Sequence, residues 1–264
     1  MQLQNLSDSQ IEENQVKELN RLSVSYNKML ERLSEAFKIQ RQFTENAAHE
    51  LRTPLSLMQI QLDLYNSGKH PSNDADTIQT IKMVTEQNER LSKMVKTLLD
   101  MSELQTVGRD ETIIVNALID EVLADLEPLA QEKNIKLIGK CKDVNMVGSD
   151  ILIYRLVYNL VENAIKYNHS GGQVIVEAYQ KEKQVYLSVK DTGNGIPEEL
   201  KERVFEPFFR VDKSGSRELG GVGLGLALVN EIVRVHDGRI AIMPNPSGGT
   251  IIEVEFAVNR QPGR

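Results

Sequence analysis

His49 lies in FTENAAHELRTPLSL, residues 43–57, with the carboxylate of Glu50 next to it and the hydroxyl of Thr53 four residues on. In a helix, Leu51, Leu55, Met58, Leu62 and Tyr65 form an apolar seam, and His49 falls roughly opposite it, facing solvent. Thr53 shares the face of His49 one turn away, with Glu50 and Arg52 beside it. Pro54 has no amide hydrogen for the Glu50 carbonyl, so the spacing predicts a bend where the imidazole is displayed. Such an imidazole suits a histidine that another molecule must reach. Taken alone, a histidine in this position reads as an ordinary surface histidine on a stable helix.

Further along, NLVENAIKY (residues 159–167) places Asn159 and Asn163 one turn apart, and Asn163 and Tyr167 one turn apart, so one helix face presents amides while Leu156, Leu160 and Ile165 pack inward. An amide oxygen is a hard neutral ligand for Mg²⁺, and Lys166 can offset phosphate charge. A plain amphipathic helix is the alternative. DTGNGIP (residues 191–197) ends a strand. Asp191 can accept a hydrogen bond from an exocyclic amino group such as that of adenine, and Gly193 and Gly195 let a ligand approach the main chain. By itself the string also fits a simple turn.

Next, FEPFFRVDKSGSRELGGVGLGLALV (residues 205–229) sets Gly220, Gly221, Gly223 and Gly225 before an apolar helix, whose first amides can bind phosphate oxygens without much basic charge. It lacks the Gly-Lys-Ser/Thr ending of a Walker loop, and no dinucleotide-binding unit surrounds it. The polar segment 210–221 reads as a mobile lid with Phe205, Phe208 and Phe209 docking its base.

These groups need elements to hold them. Val16, Leu19, Ser23, Tyr26, Leu30, Leu33 and Phe37 fall at heptad spacing, which predicts a coiled-coil stalk after a fraying start. NSGKHPSND (residues 66–74), with an incidental His70, turns the chain back, Asp74 capping the next helix. In that helix Thr77, Ile81, Val84, Asn88, Leu91, Val95, Leu98 and Ser102 repeat at four and three. Two such hairpins would make a four-helix bundle. Residues 105–111 read as a hinge. Beyond it, 116–133 and 150–167 read as helices, and 135–139, 174–179, 185–190, 239–243 and 250–257 as strands. Hairpin-linked strands with helices enough for one face indicate an α+β sandwich.

The 264 residues and 40% hydrophobic content allow two domains with a sizeable core. A net charge of -7, from 31 basic against 38 acidic residues and no basic block, argues against nucleic acid or an anionic membrane surface as partner. The single Cys141 excludes a disulfide framework or cysteine metal cluster and reads as structural. No run of about twenty apolar residues and no signal peptide is present.

AHELRTPLSL resembles the phosphoacceptor box of the sensor histidine kinases of bacterial two-component systems. NLVENAIKY, DTGNGIP, FEPFF and GGVGLGL resemble, in order, the N, G1, F and G2 boxes of that family's ATP-binding domain. Five motifs in family order cover nearly all of residues 43–258. VKELNRLSVSYNKMLERL (residues 16–33) also resembles the second helix of the signal-relay module that precedes such domains. The resemblance implies an all-α dimeric four-helix bundle, one helical hairpin per chain, preceded by a coiled-coil stalk and followed by an α+β two-layer sandwich. Its divisions would be a relay helix at 1–38, a dimerisation and phosphoacceptor domain at 39–105, a hinge at 106–111 and a catalytic ATP-binding domain at 112–264.

It further implies ATP and Mg²⁺ as cofactors and a histidine kinase that autophosphorylates His49, with Glu50 as acid/base neighbour. The phosphate would pass to an aspartate of a response regulator, and Thr53 would place water for the reverse, phosphatase reaction. Asn163 would coordinate Mg²⁺ with Asn159 assisting. Lys166, Tyr167 and Arg210 would contact phosphates or ribose, Asp191 would recognise adenine, and Gly193, Gly195, Gly221, Gly223 and Gly225 would shape pocket and lid. Val222 departs from the Thr or Ser common there, which puts one side-chain contact in doubt. His169 reads as a loop residue, and His236 as one that can meet the negative end of the last helix. The chain would be the cytoplasmic portion of an inner or plasma membrane receptor, reaching the membrane only through segments outside this sequence. Two rivals remain: an ATPase akin to the gyrase and heat-shock chaperone enzymes, and a dimer that binds nucleotide only to change shape.

Overall fold

The computed structural model describes residues 17–66, 74–104, 106–211 and 222–258. Most of the expected turn at 66–74, with His70, and the lid residues 212–221, with Gly220 and Gly221, lie outside that set. The chain divides into two compact units, Met1–Gln87 and Asn88–Arg264.

The first unit contains helix α1 (Lys17–Asn66) and the start of helix α2 (Asp74–Glu103). Their sequences are rich in Leu, Glu, Lys, Gln and Met, all strong helix formers, and i,i+4 pairs such as Arg41 with Glu45 at 2.8 Å reinforce the exposed side. Helix α1 runs through Pro54 without a break. Pro54 is buried, and the Thr53 hydroxyl donates to the His49 carbonyl at 3.2 Å across the same turn. The anticipated seam splits in two. Leu51 and Met58 are half-buried, whereas Leu55, Leu62 and Tyr65 are exposed. On the stalk, Ser23 and Leu30 are buried while Leu33 and Phe37 stay exposed.

The second unit begins with the last turns of α2. It then runs β1 (Glu111–Ile114), α3 (Val115–Glu132), β2 (Lys136–Cys141), β3 (Asn145–Gly148), α4 (Asp150–Lys166), β4 (Gln173–Lys181), β5 (Gln184–Asp191), two 3₁₀ turns (Glu198–Leu200 and Arg203–Phe205), α5 (Gly225–Val235), β6 (Arg239–Pro244) and β7 (Thr250–Ala257). Five strands form a mixed sheet in the order β2-β4-β5-β7-β6, antiparallel except for the β2–β4 pair.

Strict alternation buries Val174, Val176 and Ala178 of β4, Val185, Leu187 and Val189 of β5, and Ile252, Val254 and Phe256 of β7 in one core with the apolar faces of α3, α4 and α5. That is the expected two-layer sandwich. The other sheet face carries polar and aromatic pairs, among them Lys190 with Glu177 at 2.5 Å and stacked Tyr179 and Tyr186. Cys141 is half-buried on strand β2, and burial pushes its thiol pKa up, as suits a structural cysteine.

Two elements escaped the sequence reading. Strands β1 and β3, four residues each, pair as a separate two-stranded sheet, Glu111 opposite Gly148 and Ile114 opposite Asn145. Their runs are too short for alternation to register. Just before them, Arg109 donates to the Leu104 carbonyl at 2.9 Å, capping the end of α2. His236 is buried behind this small sheet. Its Nδ1 donates to the Ile232 carbonyl at 2.9 Å in the last turn of α5, and its Nε2 accepts the Ser149 amide at 3.1 Å, so a neutral imidazole joins the end of α5 to the start of α4.

Candidate nucleotide and phosphoacceptor site

Helix α4 is the floor of the site. It buries Leu152, Ile153, Leu156, Val157, Leu160, Val161, Ala164 and Ile165, which leaves Asn159, Asn163, Lys166 and Tyr167 along its upper side. A cavity of about 260 Å³ opens there, lined by those four residues together with Asp191, Gly195, Arg210, Gly223 and Gly225. Nine of the residues singled out in the sequence thus meet in one place. The glycine loop comes down directly on the amides. A Cβ at Gly225 would stand 3.0 Å from Asn159 Oδ1 and 3.5 Å from Asn163 Nδ2.

Gly193 does not line the cavity and acts from behind. Its amide donates to Asp191 Oδ1 at 2.8 Å, and a Cβ at this position would lie 2.4 Å from the Tyr167 carbonyl. Only glycine lets the two strings press together this closely. Asp191 Oδ1 also accepts the Thr250 amide at 3.2 Å, so among the described residues Oδ2 is the oxygen left for a ligand. Burial raises the pKa of Asp191, partly offset by these two backbone donors.

The opposite end is cationic. Desolvation pushes the Lys166 pKa down to about 8; Glu162 works against that shift, while Lys93, Arg210 and Lys133 add to it. Burial likewise raises the Tyr167 pKa, keeping the phenol neutral. The phenylalanine string meets the glycine loop at Gly223, while lid residues 212–221, which it was expected to dock, lie outside the described residues. The Phe208 amide donates to the Gly223 carbonyl at 2.8 Å, and the Arg203 guanidinium stacks 4.4 Å from the centre of the Phe209 ring, which lines the cavity with Val204.

His49, Glu50 and Thr53 belong to α1. His49 is exposed, in line with its place off the apolar seam, and Glu50 is half-buried. His169 sits in the turn after α4, where its amide bonds to the Asn168 side chain. Several lining residues carried no recognisable signal. Thr250 comes from β7, while Lys93, Met94 and Thr97 come from α2. Gly249 and Asn245 hold Asp191 from the β6–β7 turn, where Asn245 Nδ2 donates to the Asp191 carbonyl at 2.6 Å. That turn, NPSGG, reads in sequence only as a hairpin connection.

Two family profiles match the chain: the His Kinase A (phospho-acceptor) domain over residues 39–107, and the Histidine kinase-, DNA gyrase B-, and HSP90-like ATPase over residues 148–260. Sensor protein CutS of Streptomyces coelicolor is 34% identical over 249 residues, 91% of this chain and 58% of CutS. The signal transduction histidine-protein kinase ArlS of Staphylococcus aureus is 32% identical over 248 residues, 90% of this chain and 53% of ArlS. The chain therefore spans between half and three fifths of these relatives. Among solved structures, histidine kinase ThkA in complex with response regulator protein TrrA superimposes with a TM-score of 0.70 at 25% identity, covering 93% of this chain and 68% of that one.

Proposed function

Because this chain carries both domains of the sensor histidine kinases and belongs to that family, we propose that it transfers the γ-phosphate of ATP to His49 and then to an aspartate of a response regulator. The observation that supports this best is the convergence of the Asn159 and Asn163 amides, Lys166, Arg210 and Asp191 on one cavity. Adenine would donate its amino group to Asp191 Oδ2, and the phosphates would lie over α4 towards Lys166 and Arg210. A nitrogen of the His49 ring attacks the γ-phosphorus in line with the leaving oxygen. The N–P bond forms as the bond to the β-phosphate oxygen breaks, ADP departs, and Glu50 takes the proton from the other ring nitrogen. Positioning and charge neutralisation lower the barrier.

Among the described residues no group of three or more His, Cys, Asp or Glu could hold a metal by itself. A nucleotide-borne Mg²⁺ fits the donor set better, since the Asn163 amide oxygen, with Asn159 nearby, can add to phosphate and water oxygens. The ion would supply neutralisation of the phosphate charge. We place the hinge between the phosphoacceptor domain (39–105) and the catalytic domain (112–264) at 106–111, the connection that leads into β1 at Glu111. Thr53 beside His49 supports a second, phosphatase activity towards the regulator. The test of the whole reading is incorporation of label from γ-labelled ATP with Mg²⁺ as an acid-labile, base-stable phosphoramidate.

Two further outcomes are expected. Protonated Lys166 attracts phosphate and neutral Lys166 does not, so ATP affinity falls as pH rises through about 8. Binding titrations from pH 7 to 9 should show this slope, and Lys166→Gln should weaken binding and flatten it. An unchanged slope in the variant would remove Lys166 from the phosphate site. The exposed half of the bundle seam, Leu55, Leu62, Ile81 and Val95, supports a homodimer, since a second copy would cover it. Sedimentation should find a dimer that Leu55→Glu with Leu62→Glu converts to monomer; a dimer that persists would place the interface elsewhere.

A further inference from the structure

The nucleotide cavity is completed by a residue outside the ATP-binding motifs. Lys93 of α2 lines it and pairs with Glu162 of α4, the residue before Asn163. A second pair fixes the approach. Arg155 and Asp100 meet at 2.9 Å, seven residues back from Glu162 along α4 and seven on from Lys93 along α2. Seven residues are two helical turns, so the same faces of both helices are joined twice, with the helices running in opposite directions. Met94, next to Lys93, is buried, which anchors the base of the lysine. The Lys93 side chain itself is 61% exposed, so apart from its pairing with Glu162 packing does not enclose the ammonium.

Glu162 is a carboxylate at the cationic end of a cavity that has to receive a polyanion. Left alone it would repel phosphate, and Lys93 cancels it. An ammonium carries three donors on a flexible stem, so it can turn to a phosphate oxygen without α2 moving. Its charge is already felt there, as one of the cations that depress the Lys166 pKa. We propose that Lys93 is a further nucleotide-binding residue, which exchanges Glu162 for the terminal phosphate of the bound nucleotide and so favours the triphosphate over shorter nucleotides. This rests on the adenine nucleotide reading given above.

The test is competition binding of a non-hydrolysable ATP analogue, ADP and AMP to the full chain, with Lys93→Gln, Lys93→Arg and Glu162→Gln beside the wild type. Lys93→Gln should weaken the triphosphate analogue roughly five- to tenfold and leave AMP within about twofold, as expected for one charge-assisted contact. Lys93→Arg should keep most of the preference, and Glu162→Gln should tighten the triphosphate by removing the competing carboxylate. A Lys93→Gln variant that binds all three nucleotides as the wild type does, or that loses all three equally, overturns the role of Lys93 alone. A wild type that binds no adenine nucleotide overturns the reading of the cavity as well.

Discussion

Replacing His49 with Gln should reduce phosphate incorporation to background, at least a thousandfold below the wild type, while ATP affinity stays within about twofold. Gln keeps the length, polarity and helix propensity of the position but has no ring nitrogen to attack phosphorus. Affinity should survive because the cavity is built from residues between Lys93 and Ile252, none of them on α1. Helix stability should also hold, since His49 is exposed on α1. The measurement is label from γ-labelled ATP resolved by acid and base treatment. The wild-type label should be lost in acid and survive base, as a P–N bond does. Label that persists in His49→Gln would move the nucleophile to another side chain. Nucleotide hydrolysis with no label in either protein would favour the plain ATPase over the kinase.

The difference between His49 and the cavity shows what sequence can and cannot carry. His49 was legible because its face is set locally, by residues within two turns on one helix. The strands β4, β5 and β7 were legible for the same reason, their buried and open faces alternating without a break. Asn159, Asn163 and Lys166 share a helix face, so their convergence could be read from spacing. The Asp191 end could not. Asp191 is held by Thr250 and Asn245 from strands and turns more than fifty residues away, and that closure depends on the β5–β7 and β6–β7 registers.

On α2, heptad spacing marked Thr77, Ile81, Val84, Asn88, Leu91, Val95, Leu98 and Ser102 as one seam. In the single chain Thr77, Val84, Leu91 and Leu98 are half-buried, while Ile81, Asn88, Val95 and Ser102 are exposed. A periodic pattern shows that a face is apolar, and not how many partners share it. Lys93 was missed for a related reason. An exposed lysine on an amphipathic helix looks like any solvated charge until its helix is placed beside Glu162.

The residue least visible in the sequence should give the second large effect. Gly249 has φ of +88°, and a Cβ there would lie 2.4 Å from the Asp191 carbonyl oxygen, 2.5 Å from Asp191 Oδ1 and 2.6 Å from the Gly193 amide. These are backbone atoms and a hydrogen-bonded carboxylate, which cannot swing aside as the end of a flexible chain could. Gly249→Ala must therefore move Asp191, break its bond to Gly193, or both. We expect adenine nucleotide affinity to fall more than tenfold and the ATP-binding domain to lose about 2–4 kcal/mol, from positive-φ strain plus overpacking.

Gly248 supplies the control. Its φ is +90°, but a Cβ there meets nothing within 4 Å. Gly248→Ala should thus bear the strain alone, about 1–2 kcal/mol, and bind nucleotide as the wild type does. Thermal unfolding and nucleotide titration of both variants separate the two contributions. If Gly249→Ala binds nucleotide as well as Gly248→Ala, the Asp191 cradle tolerates displacement, and recognition of adenine must rest on other lining residues.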